Sequence, residues 1–140
     1  MLRERGVVAV EFALVVSLLT LLLFGAIEIA RVMWVWNTAG DATRLGARLA
    51  VVCDLNAAAI KARMVQRLPD LNPGTNITIT YSPSGCSAAA APYCEAVTVA
   101  LTGYTQKTYV PFVDFAPTLP PFTTTLTRES MSSTDNAVCN

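Results

Sequence analysis

The hydrophobic pattern divides the chain into three regimes. From Val7 to Ile27 the residues are almost continuously apolar, and Glu11 is the one ionisable side chain among them. As an α-helix this run is about 30 Å long, the hydrocarbon thickness of a bilayer. Past it the apolar positions become periodic: Leu45, Leu49 and Val52 recur at i, i+4 and i+7, the spacing of one helical face. Asp41, Arg44 and Arg48 share another face, with Asp41 and Arg44 at ion-pair spacing. No proline occurs from Glu28 to Leu55, so the pattern predicts one long helix that outruns the bilayer. Ala42, Gly46 and Ala50 form a small-xxx-small line on it, which lets another backbone come close. Two partners for that line stay open, the chain's own domain and a neighbouring subunit. Gly40 and Gly46 are where the helix could bend.

The third regime starts after Leu55. Residues 56–68 place Ile60, Met64 and Leu68 on one face and predict a second helix with Asn56 as N-cap. Lys61, Arg63 and Arg67 form its solvated side, and Pro69 ends it. The period then changes to two. Asn76–Ser82 alternates with Ile77, Ile79 and Tyr81 on one side, and Glu95–Thr102 does so with Val97, Val99 and Leu101. Thr123–Met131 reads as a third strand. The stretch before it, residues 108–122, is rich in Pro and Phe and reads as a long, partly buried loop. Its Phe112, Phe115 and Phe122 are assigned to core filling in preference to a surface for a partner or the membrane.

Charge and composition narrow the functional classes. Ten basic and ten acidic side chains cancel, and no basic stripe of the kind that binds nucleic acid stands out. Hydrophobic residues make up 53% and charged ones 14%, a balance suited to a membrane-anchored chain. Histidine is absent, which removes the commonest general base and metal ligand together. No glycine-rich phosphate loop and no pair of carboxylates on a shared face replaces it. The expectation is therefore a protein that is not an enzyme, with no cofactor and no small-molecule substrate.

All four cysteines, Cys53, Cys86, Cys94 and Cys139, follow the apolar run. An even count on one side of a membrane segment points to an oxidising compartment and two disulfides. Cys86 and Cys94 flank a short loop between two strand-like runs and are paired on that ground, leaving Cys53 with Cys139. A zinc site is disfavoured, since there is neither a C-x-x-C spacing nor a histidine.

Arg3 and Arg5 make the N-terminal end positive, which retains it in the cytoplasm and sends the rest outward. Trp34 and Trp36, just beyond the apolar run, suit an aromatic belt at the far interface, and Glu28 can pair with Arg31 at that boundary. A cleaved secretory signal is the rival reading. The apolar run is longer than usual for one, Glu11 interrupts its start, and no clear A-x-A site follows.

Glu11 needs an explanation, because a carboxylate inside an apolar helix is costly unless paired, neutral or near an interface. It could simply stay at headgroup level. A cut after Gly6 would instead make Val7 the amino terminus and put Glu11 one helical turn from a new positive charge, at the helix end whose dipole favours an acid. Arg3-Glu4-Arg5-Gly6 followed by Val7-Val8-Ala9-Val10-Glu11-Phe12 resembles a type IV prepilin processing site. More closely, residues 5–31 together with the DATRLGARLAV stretch at 41–51 resemble the TadE-like family, minor pilins or pseudopilins of the tight-adherence (Tad/Flp) pilus system. The resemblance covers residues 3–52 and is loose beyond, where the closing TTTLTRESM stretch is similar to the family's usual end. It implies prepilin-peptidase cleavage between Gly6 and Val7, and subunit docking by Glu11 and Phe12. Phe12 stands where Tyr is frequent in that system, keeping the ring without the hydroxyl. The family's A-R-x-G-A-R-like pattern matches Thr43 to Arg48.

The expected fold is α+β: a leader over residues 1–6, a long transmembrane and extended helix over 7–55, and a disulfide-stapled domain over 56–140 with a short helix and about three antiparallel strands. The expected protein is a single-pass subunit of the bacterial inner membrane, N-terminus cytoplasmic and domain periplasmic. It works in pilus assembly, with incorporation into an extracellular pilus left open. Its expected partners are membrane lipid, other pilin-like subunits, the assembly machinery and prepilin peptidase. The alternatives are a membrane-tethered binding module that is never cleaved, and a domain released by signal peptidase.

Overall fold

A computed structural model of the chain describes residues 2–109 and 116–139, with side chains from residue 6 onward. Among the described residues five elements occur: α1 (Leu2–Val52), α2 (Ala58–Arg67), β1 (Ile77–Ser82), β2 (Ala96–Leu101) and β3 (Phe122–Thr127). The α+β architecture expected from the pattern is the one observed.

At 51 residues α1 is about 75 Å long, and its two halves live in different surroundings. Every residue from Gly6 to Ile27 is exposed. From Val35 on, a stripe of mostly small residues is buried: Ala39, Ala42, Ala47 and Ala50 are fully covered, with Thr43 and Gly46 beside them. Thr43 sits there without cost because its hydroxyl donates to the Ala39 carbonyl at 2.7 Å. Gly40 and Gly46 do not interrupt the helix; each faces a large side chain, Phe122 and Met64.

The end of α1 is closed by the C-terminal tail. The last carbonyls of a helix have no partner within it. Here the Met131 amide donates to Val51 O at 3.1 Å, the Ser132 amide to Val52 O at 2.8 Å, and the Ser130 hydroxyl also to Val52 O. The Cys53–Cys139 disulfide fastens the same tail. This corrects the third strand: the ladder ends at Thr127 rather than Met131, because the chain beyond leaves the sheet to cap α1.

Asn56 is not the N-cap of α2. It adopts a left-handed conformation, φ 59°, and no side-chain bond caps the helix, whose flanking residue is Ala57. Asparagine tolerates that conformation better than most residues. The turn brings the Asn56 amide to the Tyr81 hydroxyl at 2.7 Å, a bond made across the domain. α2 then runs back along α1, burying Ile60 and Met64.

The sheet is a meander of order β1-β2-β3, antiparallel throughout. The register aligns rows across it: Ile77–Leu101–Phe122, Ile79–Val99–Thr124 and Tyr81–Val97–Leu126. These rows face α1, and Val97, Val99 and Leu101 at their centre are fully buried. The opposite face carries only Thr, Ser and Ala, with Thr98 and Thr125 hydroxyls 2.8 Å apart. β1 and β2 are joined by the loop that Cys86–Cys94 closes. This loop lies at the end remote from the apolar half of α1, since Tyr81 sits beside Asn56. Of the three phenylalanines assigned to core filling, Phe122 is half-buried at the start of β3, and Phe112 and Phe115 lie outside the described residues.

Candidate functional site

The residues singled out in the sequence fall at three separate places. Gly6, Val7, Glu11 and Phe12 are on the first turns of α1. All are solvent-exposed and none touches the domain; Phe12 is 69% accessible. Val7 and Glu11 are four residues apart, so they share one helical face. Ala42, Gly46 and Ala50 lie about 45 Å further along, packed inside the chain's own domain. Of the two partners left open for that line, the chain's own domain, α2 above all, occupies it. The two disulfides are at the far end, Cys53–Cys139 tying tail to helix and Cys86–Cys94 closing the hairpin loop.

The apolar half of α1 is a candidate membrane span. Its most apolar 18-residue window has a mean hydropathy of 2.7, and none of that window is buried by the domain. A core helix of the same composition would be covered. Nearly all the apolar surface that this helix carries is therefore left for something other than the domain. Ser17 and Thr20 satisfy their hydroxyls by donating to Leu14 O and Val16 O, which makes them inexpensive in hydrocarbon.

Where the span ends, a collar of polar and aromatic residues gathers around α1. Arg31 Nη1 donates to both Glu28 carboxylate oxygens at 3.0 Å, and the Tyr109 amide donates to Glu28 Oε1 at 2.8 Å. The Arg31 guanidinium lies 4.2 Å over the Tyr109 ring, a favourable stack of cation on π-face. Trp36 meets Phe122 edge-on at 5.8 Å. The Glu28–Arg31 pair was legible from its i, i+3 spacing. The part taken by Tyr109, 81 residues from Glu28, had no signal in the sequence.

The segment that brings Tyr109 there is held by its own backbone. Leu119 N donates to Tyr104 O at 2.8 Å and Gln106 N to Pro117 O at 3.0 Å. With α1 and the end of α2 it encloses a cavity of about 430 Å³ flanked by Arg31, Trp34, Leu68, Tyr104, Gln106 and Lys107. Burial, then the neighbouring Asp70 carboxylate, pushes the Tyr104 phenol above its ordinary range. Among the described residues no cluster of three or more His, Cys, Asp or Glu converges on a point, and every cysteine is in a disulfide.

The model of the TadE-like protein family matches residues 6–48, which include the apolar span and the first part of the buried stripe. No curated protein and no solved structure matches the chain. A TadE-like segment that begins with an exposed apolar helix fits a membrane protein associated with the Tad pilus.

Proposed function

From a chain that is TadE-like over residues 6–48, we propose a minor pilin or pseudopilin-like subunit of the Tad pilus, with a structural rather than catalytic role. Prepilin peptidase cleaves it between Gly6 and Val7. The apolar half of α1 holds the subunit in the inner membrane, with the domain on the periplasmic side, and then docks against neighbouring subunits. Glu11 is the acid that guides docking, paired with the Val7 amine of its own chain or of a neighbour, and Phe12 packs beside it.

One observation carries this reading. α1 continues unbroken from the apolar run into the domain, yet the domain grips only its second half. A simple tether needs no rigid connection between anchor and domain. A subunit whose exposed half-helix must exchange lipid for neighbouring helices does, because the domain then moves as one body with the helix. The disulfides support a periplasmic domain, an oxidising location.

The N-terminal residue of the mature protein, read by mass spectrometry from cells with an active Tad system, tests the reading. A chain beginning at Val7 is expected. Intact Met1 would favour the tethered module, and a start near residue 30 a secreted domain. Gly6→Val should block maturation and leave membrane insertion intact; normal processing of that variant overturns the site.

A further inference from the structure

Both edges of the sheet are open. The order β1-β2-β3 leaves one side of β1 and one side of β3 without a strand. Thr102 N donates to Asn76 O, and Arg128 N donates to Glu95 O. Counting by two from these bonds, Thr78, Thr80 and Ser82 turn their backbone groups toward β2, as do Phe122, Thr124 and Leu126. The amides and carbonyls of Ile77, Ile79 and Tyr81 on β1, and of Thr123, Thr125 and Thr127 on β3, point outward, and no described residue bonds them. Natural sheets guard such edges with charge, proline or a bulge. Neither ITITYS nor FTTTLT holds a charged residue or a proline, and both ladders are regular. Both strands are mostly β-branched or aromatic, the residues that suit a sheet best.

The two edges also match each other. β3 starts at Phe122 beside Trp36 and Gly40, and the chain just past its end reaches Val51 through the Glu129 amide. β3 therefore runs in the same sense as α1, and β1, antiparallel to the strand between them, does too. Two chains anchored in one membrane by α1 have both strands running outward, so an edge of one meets an edge of the other in parallel. In a parallel pair, the residues that bond across the junction carry side chains on opposite faces of the two strands. On β1 the outward-bonding residues carry theirs on the α1 face, and on β3 on the threonine face. A β1-to-β3 junction thus keeps both α1 helices on one face of the joint sheet, whereas pairing like edges in parallel would put them on opposite faces. α1 packs beneath β2 and β3, and Ile79 and Tyr81 on β1 stay half-buried. The junction brings a second α1 toward that less covered flank.

We propose that the open edges are an interface between two copies of this chain, β3 of one pairing in parallel with β1 of the other to form one six-stranded sheet. The inference rests on the membrane-anchor reading of α1. Sheet twist limits the assembly. At about 20–25° per strand, three strands rotate one copy against the next by about 60–75°. Shared equally, that tilts each α1 by about 30–40°, the upper end of the range for spanning helices. A third copy would exceed it, so the anchored form is a pair.

The test uses the full chain in lipid vesicles, labelled separately with donor and acceptor dyes at the C-terminus, with pairing read by energy transfer over a range of protein densities. The wild type should pair. Thr125→Pro removes an amide that the chain's own sheet does not use, a position where an edge strand tolerates proline. It should leave the circular dichroism spectrum unchanged and weaken pairing about tenfold, the upper worth of one hydrogen bond. Thr80→Lys combined with Thr125→Lys, both at exposed positions, puts like charge on both edges and should also weaken pairing. Thr80→Lys combined with Thr125→Glu should recover it. A wild type that stays monomeric overturns the proposal and leaves the edges to the strand of a different protein. Pairing undiminished in the proline and double-lysine variants overturns it as well, since another surface then joins the chains. A lysine–glutamate variant that pairs no better than the double lysine overturns the β1-to-β3 assignment. Membrane extraction separates the levels of failure: a chain released without detergent overturns the anchor too, whereas an anchored chain that stays monomeric overturns the interface alone.

Discussion

Gly46 lies where α2 crosses α1, and its contact sets how closely the domain holds its helix. A Cβ built on Gly46 would collide with Met64 Sδ and would stand 3.1 Å from Met64 Cγ and 3.3 Å from Cε. Gly46→Ala therefore sets two effects against each other. Helix propensity favours alanine by about 1 kcal/mol in a helix interior. Forcing a methyl into a filled core costs about 1–3 kcal/mol. A flexible thioether normally yields cheaply, but Met64 is 0% exposed and has no open space into which to swing. Packing should win, leaving Gly46→Ala about 1 kcal/mol less stable than wild type. Met64→Ala alone should cost about 2–5 kcal/mol through the cavity it opens. In the double variant the new methyl enters the space vacated by the thioether, so the combined loss should fall short of the sum by about 1 kcal/mol or more. Guanidinium unfolding of the full chain in detergent micelles, followed by near-ultraviolet circular dichroism, supplies the four stabilities. A Gly46→Ala protein as stable as wild type, or a cycle additive to within about 0.5 kcal/mol, would refute the claim that close approach at this crossing requires glycine.

Other outcomes follow from the same geometry. Glu11→Ala should leave membrane insertion and domain stability unchanged, because Glu11 is exposed and touches nothing in the domain, yet reduce pilus output in a cell-surface assay; undiminished output removes its docking role. Replacing Cys53 and Cys139 by serine opens a loop of sequence separation 86 and should cost about 4–5 kcal/mol on the chain-entropy model, against about 2–3 kcal/mol for Cys86 and Cys94 with separation 8. Denaturant midpoints in the reverse order would contradict that ranking. Burial raises the Tyr81 and Tyr104 phenols above 10.0, an effect that the Asn56 amide partly offsets at Tyr81. The folded state therefore holds these protons more tightly than the unfolded one. The stability this contributes is whole below pH 10.0 and is lost as pH rises through the folded values. Phenolate absorbance should show two tyrosines titrating later in the native chain than in the unfolded one; coincident titrations would sink the assignment.

The sequence by itself determined the elements and their faces. The apolar run, the i, i+4, i+7 spacing of Leu45, Leu49 and Val52, and the alternation in 77–82 and 96–101 are local signals that each segment must satisfy to bury its own apolar side. Cys86 and Cys94 could be paired because they flank one loop. The Gly6–Glu11 segment was recognisable because its message is a spacing along the chain. Only the tertiary structure decided what each face meets. The small line of α1 has the same letters whether α2 or a neighbouring subunit covers it, and the return of α2 after a left-handed Asn56 settles that choice within the chain. Thr127 ends β3 because the unpaired carbonyls of Val51 and Val52 draw the tail away, a competition invisible in TTTLTRESM. The collar was least legible of all. Gln106 sits in an ordinary polar stretch, and what sets it apart is burial without a partner, created by packing 102–109 against the middle of α1, some 75 residues earlier in the chain. Period and spacing are properties of a segment, whereas contact and satisfaction are properties of pairs that folding brings together.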